Sequence, residues 1–244
     1  MSGPVIKITG DTSIAVVFDQ VISPKINAQI RALDEEIAAA QIYGIFETVP
    51  TYCALTIHYD PVRIRYEELR AKIEELMKKA HSAKKRRPTV IEIPVCYGGE
   101  FGPDIENVAK HAGISVEEVI KIHTAPEYLI YMLGFTPGFS YMGGMDERIA
   151  TPRLTEPRVL IPAGSVGIAG AQTGIYPIDS PGGWQLIGRT PVVLYDPDRE
   201  EPIMLDAGMH VKFVQIDGEE FESIRPMSES GKYKCKSYAK GNEE

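Results

Sequence analysis

Positive charge is what this chain has too little of: 26 Lys and Arg stand against 34 Asp and Glu, a formal net charge of −8. That deficit excludes a nucleic-acid-binding protein, because phosphate contacts need clustered cations. Long apolar runs are missing too. No stretch approaches the roughly 18 residues that span a bilayer. The opening MSGPVIKITGDTSIAVVF holds one lysine and no apolar core ending in small residues, so no secretory leader is expected. The three cysteines, Cys53, Cys96 and Cys235, are odd in number, widely spaced and without a CxxC pair. This excludes a disulfide framework and points to a reducing compartment, the cytoplasm. What remains, 244 residues with 43% hydrophobic and 25% charged content, is an ordinary globular chain of one large or two modest domains.

The first 80 residues read as an alternation. Val5 to Ile8 and Ile14 to Phe18 are strand-like around the turn Thr9-Gly10-Asp11-Thr12. Ser23 is placed to cap a helix with Pro24 in its first turn and Ile26, Ile30, Leu33 and Ile37 at helical spacing. IFETV and YCALTIHY follow as strands. In the second, Leu55 and Ile57 share one face and Thr56 and His58 the other. Leu69, Ile73 and Leu76 then mark a second amphipathic helix. The order β-β-α-β-β-α predicts an α+β sandwich, one sheet covered by two helices, over residues 1–85. The basic run Lys78 to Arg87 reads as a solvated helix end and linker, with a partner-docking patch as the alternative.

A second domain is expected over residues 86–227, and a polar tail, disordered at its end, over 228–244. The second domain opens on the strand VIEIPVCY. Two short helices follow near 104–124: Asp104 to Ala112, closed by Gly113, and SVEEVIKIHT, with Ser115 and Glu118 as a capping box. EYLIYML is the next strand. VVLYDP, PIMLD and VKFVQI are expected to close a barrel or sheet near the domain's end.

Between Gly134 and Pro191 the composition shifts. These 58 residues hold 11 of the 22 glycines, 7 of the 18 prolines and the sole Trp, with 8 charges and no Lys, His or Cys. Disordered segments are poor in aromatics, yet this one keeps Phe135, Phe139, Tyr141, Tyr176 and Trp184. Short strands joined by tight turns, forming a ligand or partner surface, are the better reading.

Gly183 to Thr190 nearly matches a P-loop, with Arg189 in place of lysine. Strand chemistry follows the match where a helix N-terminus is needed, so a phosphate loop is rejected. Arg189 on a rigid turn still suits an anion. Gly164, Gly167 and Gly170 recur every third residue beside Gln172-Thr173. They mark either a backbone held close to a ligand or a strand packed tightly on a neighbour. Gly138-Phe139-Ser140 resembles a nucleophile elbow, but Met142 fills its fifth position and no histidine lies in the segment. His123 and His210 flank it at a distance. Serine hydrolysis is not supported, and neither is a metal site, since no ligands sit at metal spacing. Asp179 and Ser180 are placed to cap a turn or to contact a ligand. Any chemistry rests on positioning, backbone amides, hydroxyls and Arg153, Arg158 or Arg189. That suits phosphoryl or carboxyl transfer, or a site completed by a partner.

LGFTPGFSYMGG and PRVLIPAGSVGIAGAQTGIYPIDSPGGWQLIGRTP strongly resemble the KipI family, known also as the B subunit of ATP-dependent 5-oxoprolinase or allophanate hydrolase subunit 1. The likeness extends upstream through EIPVCYGGEFGPDIENVAKHAGIS and more weakly to the N-terminus. The resemblance implies a small N-terminal α+β, ferredoxin-like sandwich and a C-terminal cyclophilin-like β-barrel. It implies two companions, a KipA-like C subunit of related barrel fold and a LamB/YcsF-like A subunit. The resemblance further implies that together they open 5-oxoproline to glutamate, with ATP and Mg bound at the level of the complex and this chain inactive alone. The family also includes an inhibitor of a sporulation histidine kinase, so an alternative is a regulator that binds the kinase's dimerisation helices. Homologous modules occur in urea carboxylase. As pocket residues the resemblance implies Phe135, Pro137, Phe139 and Tyr141, to which the segment's own residues add Gly138 and Arg153. The resemblance also implies Pro162, Ala163, Gly164 and Ser165, then Gln172, Thr173 and Tyr176. Ser180, Pro181, Gly182, Gly183, Trp184 and Thr190 complete the set, with Arg189 as the candidate catalytic cation. Met142 stands where relatives often have Leu.

Overall fold

The computed structural model describes residues 3–82 and 88–241, and its contacts divide the chain into two compact units, Met1–Arg86 and Arg87–Glu244. The boundary expected after residue 85 falls on residues 83–87, which lie outside the described residues along with that part of the basic run.

The first unit runs β1 (Val5–Gly10), β2 (Ser13–Val17), α1 (Pro24–Ala40), β3 (Ile45–Pro50), β4 (Ala54–Tyr59) and α2 (Tyr66–Ser82). Its sheet order is β1-β2-β4-β3, antiparallel throughout. Strand β4 is inserted between β2 and β3, which α1 connects. This is the split βαβ of a ferredoxin-like sandwich, with β1 added outside β2. Ile14, Val16, Leu55 and Ile57 turn toward the helices and pack on Ile30, Leu33, Leu69 and Ile73. Strand alternation meets helical periodicity there, and both patterns are visible in the sequence. Ser23 occupies the N-cap of α1 without a side-chain capping bond, and Pro24 opens the helix.

The second unit begins with β5 (Thr89–Tyr97), α3 (Ile105–Ala112) and α4 (Val116–Thr124). Gly113 ends α3 at φ 69°, and the Ser115 hydroxyl accepts the Glu118 N–H at the start of α4. Then come β6 (Tyr128–Leu133), β7 (Ser140–Gly143), a 3-10 turn (Glu147–Ile149), β8 (Arg158–Ile161), β9 (Ser165–Ala169), β10 (Gln172–Ile175), β11 (Ser180–Gly182) and β12 (Gln185–Arg189). β13 (His210–Ile216), α5 (Gly218–Glu229) and β14 (Ser237–Ala239) complete it. Seven strands close a barrel: β5 pairs in parallel with β13, the circuit continues through β6, β7, β10, β9 and β12, and β12 returns to β5 at Cys96 and Tyr97. α3 and α4 contribute Val108, Val119 and Ile122 to the core that the strands enclose. β8 and β11 form a separate two-stranded ribbon.

Two expectations are corrected. Residues 191–205 contribute to the barrel core through Val192, Leu194 and Leu205, but they make only the isolated bridge Tyr195–Ile203 and no strand. Pro191, Pro197 and Pro202 lack the N–H that a ladder needs, so closure falls to β12 against β5. Residues 228–241 of the segment expected as a polar tail are also structural, and its end, 242–244, lies outside the described residues. Asp217 caps α5 by accepting the Glu220 N–H, and β14 pairs with β5 at Thr89–Ile91, on the edge that β12 takes further along. Tyr233 and Cys235 pack against the barrel core, and burial pushes the Cys235 thiol up to about 12. A chain ended at Gly231 is therefore expected to lose about 2 kcal/mol from these two half-buried side chains. The reading is a lower urea midpoint, and an unchanged midpoint would show that β14 only adheres.

Candidate active-site surface on the barrel wall

The glycines of β9 and β10 decide what the outer wall of the barrel can hold. Gly167 and Gly174 are paired across the two strands. A Cβ on Gly167 would lie 3.1 Å from Trp184 Cβ, and one on Gly174 would lie 3.2 Å from the Trp184 ring and 3.3 Å from Phe139. The flat backbone is thus the seat of an aromatic cluster. Phe139 meets Tyr141, Tyr176 and Trp184 edge-on at centroid distances of 5.0, 5.2 and 5.6 Å. Of the two readings left open for the glycine repeat, tight packing explains Gly167. Gly164 and Gly170, at φ 83° and 58°, form turns. A Gly174→Ala variant is expected to lose about 1–3 kcal/mol by overpacking. Thermal unfolding checks this, and a neutral effect would mean that the cluster is loose.

Phe139, Tyr176 and Trp184 are buried, Tyr141 is half-buried, and Phe135 and Pro137 are exposed. Phe135 holds φ 69°, an uncommon conformation for a bulky residue, and its ring touches Phe139 at 5.6 Å. Gly138 carries φ 79° in the same loop. At the cluster's edge, the Arg153 guanidinium lies 5.9 Å over the Trp184 ring. Arg158, on β8, donates from Nη2 to Asp104 at 2.7 Å. Burial pushes the Tyr176 phenol up to about 12, partly opposed by Arg153, the Trp184 backbone N–H and Arg158. At neutral pH Tyr176 therefore keeps its proton and serves as a hydrogen-bond donor. Gly182 gives this hydroxyl room, since a Cβ there would sit 2.5 Å from it.

The turn at Pro162, Ala163 and Gly164 is held by bonds from three directions. The Ala163 N–H donates to Asp179 at 2.7 Å, Arg189 Nε donates to the Ala163 carbonyl at 2.9 Å, and the Thr190 N–H donates to the Gly164 carbonyl at 2.9 Å. Asp179 thus caps a turn, and Arg189 braces it. Ser165, Ser180 and Thr190 are buried beside these bonds. Pro181 and Gly182 lie on β11, and the Gly183 carbonyl accepts the Leu154 N–H.

This glycine-rich stretch lies within a match to the family described as carboxyltransferase domain, subdomain C and D, over residues 4–205. The chain belongs to this family. A relative in Bacillus subtilis (strain 168), named as the B subunit of 5-oxoprolinase, is 43% identical over 229 residues, covering 90% of this chain and 95% of its own. That likeness places the chain in the family of 5-oxoprolinase B subunits. Of the solved structures, TTHA0988 is 38% identical with a TM-score of 0.76, over 84% of this chain. The chain spans 40% of the TTHA0988 chain. The Kluyveromyces lactis urea carboxylase, 20% identical, shares the fold with a TM-score of 0.74, over 97% of this chain and 24% of its own.

Inside the barrel of this family member lies a polar chain that the sequence did not reveal. His123, on α4 and fully buried, meets the Tyr97 hydroxyl at Nδ1 and the Thr173 hydroxyl at Nε2, both at 2.8 Å. The Thr173 hydroxyl donates to the Gly167 carbonyl, so it accepts from Nε2–H, and Nδ1 accepts from Tyr97. The ring stacks on Phe213 at 4.6 Å. Burial lowers the His123 pKa to about 3, so the ring is neutral, a structural histidine rather than a base. Gln172 and Thr173 sit on β10, Thr173 facing inward with Met142, its cross-strand partner. Ser140 shares the inward face of β7 with Met142. Its hydroxyl is buried with no hydrogen-bond partner among the described residues, so the elbow-like motif has neither access nor a base. The P-loop-like stretch is β12 itself, pressed on β5 at Gly188. Among the described residues no group of three or more His, Cys, Asp or Glu could hold a metal, and no helix is long and apolar enough to cross a membrane. Asp104 is the residue that sequence reasoning passed over, and FGPD carries a signal in hindsight. A Cβ at Gly102 would overlap the Ile187 carbonyl, so this loop docks backbone to backbone on β12.

Proposed function

We propose that this chain is the B subunit of an ATP-dependent 5-oxoprolinase, inactive alone and completed by two companions, a barrel-type C subunit and an A subunit. The observation that carries this reading is the 43% identity, over nearly the full length of both chains, with the relative named as the B subunit of 5-oxoprolinase. The urea carboxylase likeness adds that this fold also occurs as about a quarter of a larger chain, which suits a module that works beside others. In the proposed reaction the lactam oxygen takes the γ-phosphoryl of ATP. Water then adds to the activated carbon, the C–N bond breaks, and phosphate leaves as the new carboxylate forms.

The residues of this chain fit binding better than proton transfer. His123 is neutral and enclosed, Ser140 has no base, and the P-loop-like stretch is a strand. In this proposal ATP and Mg belong to the assembled complex, and this chain contributes binding and positioning. Arg189 enters as a brace of the 162–164 turn. The kinase-regulator alternative keeps only Phe135 and Pro137 as exposed members of its aromatic–proline patch, and no further feature favours it.

The test is co-purification of this chain with its two companions, followed by measurement of ADP and glutamate released from 5-oxoproline. Turnover is expected only from the complete set. A complete set that leaves ATP and 5-oxoproline unconsumed would overturn the assignment.

A further inference from the structure

The wall of the barrel beside Trp184 and Tyr176 carries two cationic side chains. Two guanidiniums, Arg153 and Arg158, influence the Tyr176 phenol. Asp104 is the carboxylate paired with Arg158, through Nη2 at 2.7 Å. Its second oxygen is taken by the Leu186 N–H at 2.7 Å. Arg158 Nη1 is buried and meets no acceptor among the described residues. A buried donor without an acceptor is costly, and charged donors most of all. Arg153 differs, being exposed and resting over the indole. A cation on an aromatic face at the surface is weakly held, so Arg153 is free to turn and uncover Trp184. A plain surface cation–π contact accounts for Arg153 alone. It leaves unexplained the unmet Nη1 donor of Arg158 and the neutral Tyr176 phenol on which both arginines act.

We propose that Arg153, Arg158 and Tyr176 bind the carboxylate of a small, flat cyclic acid, whose ring takes the place of the Arg153 guanidinium over Trp184. The planar guanidinium fork matches a carboxylate in geometry and charge, and Tyr176 adds a neutral donor. The indole and the half-buried Tyr141 offer an apolar edge to a ring of five or six atoms. This deepens the 5-oxoprolinase reading and rests on it: 5-oxoproline is a five-membered lactam bearing one carboxylate, and this site would hold the carboxylate while the lactam faces the companion chains.

Trp184 is the only tryptophan in the chain, so its emission reports on this site alone. The full-length chain is titrated with 5-oxoproline and, in parallel, with 2-pyrrolidinone, the same ring without the carboxylate. A saturable emission change is expected for 5-oxoproline and none for 2-pyrrolidinone at equal concentration. Arg153→Gln is expected to weaken binding about tenfold, the loss of one charge-assisted contact. Arg158→Lys keeps a cation for Asp104 but removes the fork, and it too should weaken binding, which guards against misfolding of a charge-neutral Arg158 variant. No saturable response, an equal response to 2-pyrrolidinone, or unchanged affinity in both variants overturns the site. Turnover by the complete enzyme separates the two claims. Activity with an unchanged KM in Arg153→Gln removes the site and leaves the enzyme assignment. Saturable binding in a set that never consumes ATP supports the site and removes the reaction.

Discussion

Asp104→Ala is expected to cost about 3–5 kcal/mol of stability, the largest loss from any single truncation proposed for this protein. Asp104 stands at the N-cap of α3, yet its side chain makes no capping bond. Both carboxylate oxygens go to tertiary partners instead, Oδ1 to Arg158 Nη2 and Oδ2 to the Leu186 N–H, each at 2.7 Å. Its own backbone N–H donates to the Leu186 carbonyl at 2.9 Å. One side chain therefore joins α3, the barrel strand β12 and the ribbon strand β8. Truncation leaves a partly buried guanidinium uncompensated and a buried backbone donor unmet, and these costs exceed the worth of the pair itself. Asp104→Asn retains one acceptor and should fall between. A double-mutant cycle with Arg158→Met is expected to return a coupling of roughly 1–3 kcal/mol. Urea unfolding decides the matter. A loss below about 1 kcal/mol for Asp104→Ala would show that the pair is a surface decoration.

The second large effect is on acid stability. His123 has a folded pKa of about 3, lowered by burial, against roughly 6.5 in an unfolded chain. Between those values the unfolded chain binds a proton on this ring that the folded chain refuses. Stability therefore rises with pH across the window. It is complete above about pH 6.5 and falls by about 1.4 kcal/mol per pH unit as pH drops toward 3, with no further loss from this ring below that. His123→Gln is expected to cost about 1–3 kcal/mol at neutral pH, because glutamine cannot satisfy Tyr97 and Thr173 while stacking on Phe213. It should also remove this slope. Carboxylates titrating in the same range cancel when the two proteins are compared pH by pH. Parallel stability curves for wild type and His123→Gln between pH 6.5 and 4 would refute the assignment.

Much of the fold was legible because its signals are local. The stripe Ile30, Leu33, Ile37, the alternation through Leu55 and Ile57, Gly113 and the Ser115–Glu118 cap each act within a few residues. The misreadings come from the same reliance. Apolar runs around Val192 and Leu205 looked like strands, and their burial is real, but the intervening prolines leave the ladder without donors. The polar character of the last residues hid α5 and β14. Their stability comes from the β5 edge and from Tyr233 and Cys235 against the core, not from any local hydrophobic run. An Asp217–Glu220 cap was available as a warning.

The site divides along the same line. Composition alone marked Gly134 to Pro191 as a candidate binding surface, and the shortage of Lys, His and Cys there set its expected chemistry apart from autonomous acid–base hydrolysis. Tertiary structure alone decided which cations face the aromatic cluster, that Arg189 braces a turn, and that the ring of His123 reaches Thr173. The partners in the decisive bonds are 54 residues apart for Arg158 and Asp104 and 50 for His123 and Thr173. Periodicity tells a side chain which face it occupies. Which neighbour it meets there depends on strand order and register, and those are set only when β12 closes on β5.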